Sequence, residues 1–415
     1  MASMRLKIAI LLTYAIFAVL LNSVGTVILQ SIEYFGVSKI SASTLEAFKD
    51  LPIAVTSFAL ASFLPRIGYR RGMMIGLAMV GAACALMPLL DAFWATRLLF
   101  FTVGCGFAIV KVAVYSFVGV LTDNPASHAS LLNVIEGVFM IGVLSGYWIF
   151  SAFIDAANAA SPIWLNVYWW LAGACAIAIA LLVSARFDES AARPDEARSM
   201  REDFTGMIGL AAKPLTLVFV ISVFLYVLIE QGIGTWLPTF NRQLLGLSAP
   251  MSVQAASIFA AGLAAGRLGA GAIIRRTGWY PLLVFCLVAM AVLILVSLPL
   301  ADAVERESIT TWAGAPVAAF VFPMIGLFMA PIYPAINSAV LSAMPRNTQS
   351  AMVGLIVVFS ALGGTTGSFI IGRTFAAVAG ASAFYLILVP IAGVLVAITA
   401  LNRHVVAKSA DLKLT

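Results

Sequence analysis

The chain has 415 residues, of which 62% are apolar and only 10% are charged, and its formal net charge is +6. A bilayer core about 30 Å thick needs roughly 20 apolar helical residues to cross it, and this chain contains about a dozen apolar runs of that length. Such a composition excludes a water-soluble globular protein. Long runs without strict alternation also exclude a transmembrane barrel.

The apolar runs predict an all-α integral membrane protein with twelve transmembrane helices. A polar stretch at 186–213, mixed in charge and containing Pro194, separates six runs from six runs. We therefore predict a six-helix bundle over 1–185, a cytoplasmic linker over 186–213 and a second six-helix bundle over 214–415. The spans are expected at 7–30, 44–65, 73–90, 94–121, 129–153, 162–184, 215–238, 251–274, 280–300, 314–340, 350–372 and 383–402.

The distribution of basic residues predicts the orientation. Arg5 and Lys7 precede the first run, as in a signal peptide, but the run is long and lacks an A-x-A cleavage site. With both termini in the cytoplasm, most of the 24 basic residues fall in inner loops. We expect a multi-pass protein of the cell inner (plasma) membrane, a monomer surrounded by lipid. No basic segment is interleaved with aromatic residues, so no nucleic-acid partner is expected.

No residue pattern indicates a cofactor, a metal site or an enzyme. The four cysteines lie singly within spans, and His128 and His404 are isolated near inner helix ends. A Walker-type glycine loop is absent, so ATP is not expected to drive the protein directly. A membrane-embedded enzyme would need clustered histidines and carboxylates at one depth.

The two halves of the sequence resemble each other. The loop after span 2 reads SFLPRIGYRRG and the loop after span 8 reads AIIRRTGWYP. A shift of 210 positions superposes Arg66 on Arg276 and Gly68 on Gly278. Two similar bundles with a solute site between them are typical of alternating-access carriers.

A resemblance to a known family begins with GRLGAGAIIRRTG at 266–278, which is similar to the span-8 pattern of the major facilitator superfamily. The acidic residue of that pattern is replaced by Pro65 in the first copy and by Arg275 in the second. YVLIEQGIGTWL at 226–237 and GLFMAPIYPAINSAVLSAMP at 326–345 resemble spans 7 and 10 of the fucose permease-like branch, the fucose–galactose–proton symporters. The resemblance implies the major facilitator fold, with two pseudo-symmetric six-helix bundles, and secondary active transport.

Lys111 lies about 15 Å of helix from the inner end of span 4, near mid-bilayer. KVAVYSFVGVLT at 111–122 resembles ETAANPFVTVLG of the fucose permease-like family, which places Lys111 where that family has a proton-coupling glutamate. Ser23, directly after Asn22, likewise replaces the family's span-1 aspartate. Because a buried cation attracts an anion better than a neutral sugar, we predict that Lys111 binds an anionic group of the substrate. The alternative is a packing role in which Glu136 neutralises Lys111.

Three further charged residues lie within spans 5, 7 and 8. Glu136 and Arg267 lie about 10 Å from the inner face by helix rise, and we predict that they form a salt-bridged gate between the bundles. Alternatively, Glu136 shares a network with Lys111. Glu230, which is followed by two nearby glycines, is the first choice for proton coupling and Glu136 the second, since a buried carboxylate can exchange protons near neutral pH. A purely structural role for Glu230 is the alternative.

Glu46, Lys49 and Asp50 begin span 2 at i, i+3 and i+4, which predicts a Glu46–Lys49 pair at the outer interface. The functional alternative is an extracellular gate that includes Asp50. The remaining candidates for substrate binding are polar or aromatic residues of spans 1, 4, 7 and 10, for which packing is the alternative role: Asn22, Ser23, Tyr115, Tyr226, Trp236, Tyr333 and Asn337.

These observations predict a secondary active transporter that moves a small polar, anionic solute by alternating access. Proton-coupled uptake is favoured because span 5 lacks the proline-containing glycine motif that is typical of drug/proton antiporters. The alternatives are a proton-coupled exporter of drugs or metabolites and a neutral-sugar/proton symporter. A non-transporting membrane sensor is the alternative from a different class.

Overall fold

The computed structural model describes residues 2–61, 64–122, 125–185, 207–304, 308–342, 346–378 and 380–414. These residues are mainly helical, and their β-type pairing is one isolated bridge between Leu247 and Ile309. The chain divides into two compact units, Met1–Met200 and Arg201–Thr415. Most of the predicted linker, at 186–206, lies outside the described residues. The expected all-α class is confirmed.

The N-terminal unit consists of long helices joined by short turns. Its first helix packs against the sixth, seventh and eighth, and its third packs against the sixth. The described helices are α1 (Ala2–Asn22), α2 (Val24–Phe35), α3 (Lys39–Ala61), α4 (Leu64–Ile67), α5 (Tyr69–Leu90), α6 (Phe93–Leu121), α7 (Pro125–Ser151) and α8 (Val167–Ser184).

The first predicted span, 7–30, is divided at Ser23. The Ser23 hydroxyl donates to the carbonyl of Leu20 at 2.7 Å, and the Asn22 amide donates to the carbonyl of Ala18 at 2.9 Å. Short polar side chains that bond back to the preceding turn bend a helix. The apolar run therefore continues beyond the break as a second helix, α2.

The C-terminal unit also consists mainly of long helices, but one of its predicted spans is divided into several short helices. Its first helix packs along the helix Arg346–Ala377 and the last helix of the chain. The described helices are α9 (Pro214–Gly234), α10 (Leu237–Gln243), α11 (Ala249–Thr277), α12 (Trp279–Asp302), α13 (Ala318–Val321), α14 (Ile325–Met329), α15 (Ile332–Ser342), α16 (Arg346–Ala377) and α17 (Leu388–Leu414).

The tenth predicted span, 314–340, is the interrupted one. Proline cannot donate a backbone hydrogen bond within a helix, and the helix divides near Pro323 and Pro331 into α13, α14 and α15. The middle piece, α14, packs backbone to backbone on α11, because a Cβ atom at Gly262 would lie 2.9 Å from the amide nitrogen of Leu327. This contact fixes α14 within the C-terminal unit.

Eleven helical segments among the described residues are long and apolar enough to cross a membrane. The second predicted span lies on α3, a 23-residue helix that is not among the eleven. Its N-terminal half carries Glu46, Lys49 and Asp50, which lowers its apolar character. With α3 added, the helices match the expected twelve-helix architecture.

Glycines allow a close helix contact between α9 and α16 in the C-terminal unit. Gly363 and Gly367 of α16 lie against the carbonyl oxygens of Phe224 and Leu228 on α9, and a Cβ atom at either glycine would collide with that backbone. Small residues of this kind allow membrane helices to approach closely. The pairing of α9 with α16 thus depends on these glycines.

We expect Gly367→Ala to destabilise the protein by about 1–3 kcal/mol, the usual range for overpacking. Thermal unfolding of the purified protein in detergent measures the change. Gly269→Ala is the matched control, because a Cβ atom there meets nothing within 4 Å. Equal midpoints for the two variants would contradict the described packing.

Candidate functional site

The N-terminal unit places a charged and aromatic cluster where α6 and α7 face each other. Lys111 and Tyr115 are one turn apart on α6, so they share a face. The Lys111 side chain is exposed, and its Nζ atom lies 5.8 Å from the ring centre of Phe107. The Tyr115 hydroxyl donates to Glu136 Oε1 on α7 at 3.2 Å. Lys111 and Glu136 also interact electrostatically.

Tyr14 of α1 adds a buried hydroxyl to this cluster. Its ring packs against Phe107 and Phe139, with ring centres 6.4 and 6.0 Å apart. The hydroxyl is buried and has no hydrogen-bond partner among the described residues, although it interacts electrostatically with Tyr115 and Glu136. Sequence reasoning missed Tyr14, because a lone tyrosine in an apolar helix carries no sign of which face it occupies.

This N-terminal cluster, comprising Tyr14, Phe107, Lys111, Tyr115 and Glu136, brings one cation, one carboxylate and two phenols together. The Tyr115 phenol bonds the Glu136 carboxylate, and Lys111 interacts with that carboxylate electrostatically. A network shared by Lys111 and Glu136 stays a prediction. An ammonium and phenol hydroxyls are hydrogen-bond donors that suit a carboxylate or phosphate oxygen. The aromatic faces can pack against apolar parts of the same solute.

Asn22 and Ser23 stand at the helix break, and their side chains bond to backbone carbonyls one turn earlier. Ser23 is buried and Asn22 is half-buried. Their polar groups are thus engaged within the first span. Binding of substrate by these two residues stays a prediction, and it would require them to exchange these bonds.

The C-terminal unit carries a second cluster on α9, α11 and α15. Glu230 Oε1 lies 3.9 Å from a guanidinium nitrogen of Arg267, and both side chains are partly exposed. Tyr226, one turn before Glu230, is buried, and its ring centre lies 5.4 Å from that of Tyr333. The described structure therefore provides Arg267 with a carboxylate partner inside its own unit. The proposed Glu136–Arg267 gate joins residues of different units and stays a prediction.

Tyr333 and Asn337 share one face of α15, since they are four residues apart. The Tyr333 hydroxyl lies 3.5 Å from the Ser360 hydroxyl. The Asn337 Oδ1 atom is buried without a hydrogen-bond partner in the described part of the chain. An unpaired buried acceptor costs free energy, which makes Asn337 a candidate for bonding a solute hydroxyl or amide.

Trp236 is enclosed in the C-terminal unit. Its side chain is fully buried, its indole nitrogen donates to the Ser368 carbonyl at 2.9 Å, and its ring meets Phe375 edge-on. These contacts describe a packing role. A contact between Trp236 and substrate stays a prediction that would require the segment between α9 and α10 to move.

The charged residues of α3 are more deeply buried than their expected place at the outer interface implied. Glu46, Lys49 and Asp50 are only 0%, 5% and 8% exposed. Lys49 forms the expected pair with Glu46 and lies 3.4 Å from Asp50 as well. The Glu46–Lys49 pairing is thus confirmed. A gating role for Asp50 stays a prediction.

The family model described as Major Facilitator Superfamily matches residues 10–368. No curated protein sequence matches the chain. Among solved structures, the chain is similar in fold to a point mutant of the nucleoside transporter NupG, with 13% identity, a TM-score of 0.72, and coverage of 96% of this chain and 98% of that one.

Two symporter structures are similar as well. The D-xylose–proton symporter matches at 14% identity with a TM-score of 0.71, covering 95% of this chain and 96% of that one. A variant of the E. coli fucose–proton symporter FucP matches at 17% identity with a TM-score of 0.57, covering 93% of this chain and 96% of that one. At these identities the likeness shows the fold alone. Together with the family model, it shows that this chain is a multi-pass membrane transporter of the major facilitator superfamily.

Proposed function

We propose that this transporter carries a small anionic solute by alternating access and that Lys111 binds the anionic group. The observation that supports this proposal is the position of Lys111 in the middle of α6, in one cluster with two phenols and one carboxylate. A charge at this depth is expensive in a membrane unless it serves a pathway or has a partner. An anion bound by Lys111 would satisfy the ammonium, and Tyr115 would donate to the same anion only by giving up its bond to Glu136.

Proton coupling follows from the same cluster. When a solute anion occupies Lys111, the Glu136 carboxylate loses part of its countercharge and faces a second negative group. A proton on Glu136 relieves that repulsion, so anion and proton bind together. Glu230 is the corresponding candidate in the C-terminal unit, where a proton would release Arg267 from its 3.9 Å contact. The direction proposed is uptake by symport across the inner membrane, with both termini in the cytoplasm.

The proposal is tested by a thermal-shift screen of the purified protein with matched solutes that differ by one carboxylate, such as galacturonate and galactose. We expect the anionic member of at least one pair to raise the unfolding temperature, and Lys111→Gln to abolish that shift. Lys213→Gln is the control, because it removes an exposed cation at the start of α9. Stabilisation by neutral sugars alone, unchanged in Lys111→Gln, would overturn the assignment and favour the neutral-sugar symporter.

A further inference from the structure

The ionisable groups buried on α3 differ from the two clusters above in their charge balance. Lys111 stands beside one carboxylate, and so does Arg267, so each of those pairs is neutral when fully ionised. On α3, one ammonium meets two carboxylates, since Lys49 contacts both Glu46 and Asp50. With all three ionised, this α3 triad would carry one net negative charge.

A net charge is costly at this place. Each member of the triad is at most 8% exposed, and a buried charge without compensation costs far more than a paired one. One proton on either carboxylate makes the triad neutral. Glu46 and Asp50 are four residues apart on α3, so they share a helix face, and both carboxyl groups approach the Lys49 ammonium. A hydrogen bond between the two carboxyl groups would require a proton on one of them, because an ionised carboxylate only accepts.

The groups on neighbouring helices leave this balance in place. Tyr147 of α7 interacts with Lys49 and Glu46 and is a neutral phenol. From α6, Gly104 presents only backbone to the carbonyl of Lys49. Arg97 of α6 lies over the ring of Phe48, at 5.8 Å, and residues two apart on a helix point about 200° apart, so this ring projects away from Asp50.

The outer part of α2 and α3 carries further charged residues. Lys39 precedes Glu46 by seven residues, about 10 Å along the helix. On α2, the Tyr34 hydroxyl donates to Asp91 in the turn between α5 and α6. Asp50 has Lys49 and Glu46 as its charged neighbours. Counted over its own three side chains, the triad has one more carboxylate than ammonium.

The backbone beneath the triad is also weakened. Pro52 lies inside α3, and a proline in a helix leaves the carbonyl four residues earlier, that of Phe48, without its intrahelical partner. The triad therefore sits on the turn of α3 at which the helix bends most easily. Any bending that admits water lowers the penalty for negative charge and favours release of the proton.

We propose that Glu46, Lys49 and Asp50 form a binding site for one proton inside the N-terminal unit, shared between the two carboxylates and balanced by the ammonium. The site is separate from Glu136 and Glu230. Its use as a coupling site rests on the proposed transport function. Proton binding itself does not, so the two ideas fail separately.

The test measures proton binding without any solute. Either Asp50→Asn or Glu46→Gln leaves a neutral pair with Lys49, so each single variant is expected to lose the bound proton. In pH-difference infrared spectra of the purified protein, the carbonyl-stretch band of one protonated carboxyl group should vanish in both. Asp155→Asn, in the turn after α7, is the control that keeps the band, because its Oδ1 is replaced by an amide oxygen that still accepts from Ala157.

Unfolding as a function of pH gives a second readout. A folded state that holds one more proton than the unfolded chain loses stability as the pH rises above about 4, the value at which a free carboxyl group ionises. Relative to the wild type, Asp50→Asn should therefore become more stable towards alkaline pH, and Glu46→Gln should behave alike. Parallel stability curves, together with a carbonyl band that both variants retain, would overturn the proposal. If no anion raises the unfolding temperature but the infrared and pH results are as expected, the proposed anion transport is refuted and the proton-binding site is not.

Discussion

Lys49→Met is expected to destabilise the protein more than any other substitution considered. The wild-type ammonium contacts Glu46 and Asp50, all three being buried. Removing one partner of a buried ion pair costs about 3–5 kcal/mol, because it leaves uncompensated charge. For a protein of this size that corresponds to a fall in unfolding temperature of about 3–6 °C. Thermal unfolding in detergent at neutral pH measures it.

If uncompensated charge causes the loss of stability in Lys49→Met, removing the two carboxylates should restore that stability. Adding Glu46→Gln and Asp50→Asn to Lys49→Met replaces the ionised groups with neutral ones of similar size, and a buried polar cluster without net charge should regain most of the stability. Lowering the pH should rescue the single variant partly, since both carboxylates can then be protonated. If Lys49→Met unfolds at the wild-type temperature at every pH, the Lys49 ammonium does not compensate buried negative charge on Glu46 and Asp50.

Lys111→Gln is expected to weaken binding of the transported anion by about 10- to 100-fold. A hydrogen bond to a charged group contributes about 1.5–3 kcal/mol, and each 1.4 kcal/mol is a factor of ten in affinity. The measurement is concentration-dependent uptake into proteoliposomes, using the anion that gives the largest thermal shift. A higher half-saturation concentration is expected, with residual transport at high solute concentration.

A comparison with Tyr115→Phe separates charge from hydrogen bonding in the N-terminal cluster. That variant keeps the ammonium and removes the hydroxyl that donates to Glu136, so a smaller loss of affinity is expected, about 0.5–1.5 kcal/mol. Equal losses in Tyr115→Phe and Lys111→Gln would mean that the cluster acts only as a packed unit. Unchanged uptake by Lys111→Gln would remove the ammonium from the pathway altogether.

The helices were predictable from sequence because lipid imposes long apolar runs, and the described spans fall close to the expected ranges. The break at Ser23 was not predicted, since back-bonding to Leu20 depends on one side-chain rotamer. The site was predicted less completely. Lys111 and Glu230 stand out as charges in apolar runs, but the pairing of Glu230 with Arg267 depends on how α9 and α11 are rotated about their axes.

The α3 triad was also only partly predictable from the sequence. Spacing at i, i+3 and i+4 was enough to predict the Glu46–Lys49 pair. Burial was not predictable, because it comes from α6 and α7, which cover this face of α3 through Gly104 and Tyr147. Tyr14 was missed for a related reason. Its neighbours Phe107 and Phe139 lie on two other helices, and no local pattern brings them together.

The division of the tenth span gives its parts different mechanical freedom. The piece α14 is interlocked with α11, where Gly326 lies against the carbonyl of Phe259 and Gly262 against the backbone of Leu327. Beyond Pro331, α15 carries Tyr333 and is not bound by the same interlock. A movement of α15 during gating would therefore leave the contact between α14 and α11 intact, although it would have to carry Tyr333 away from Tyr226.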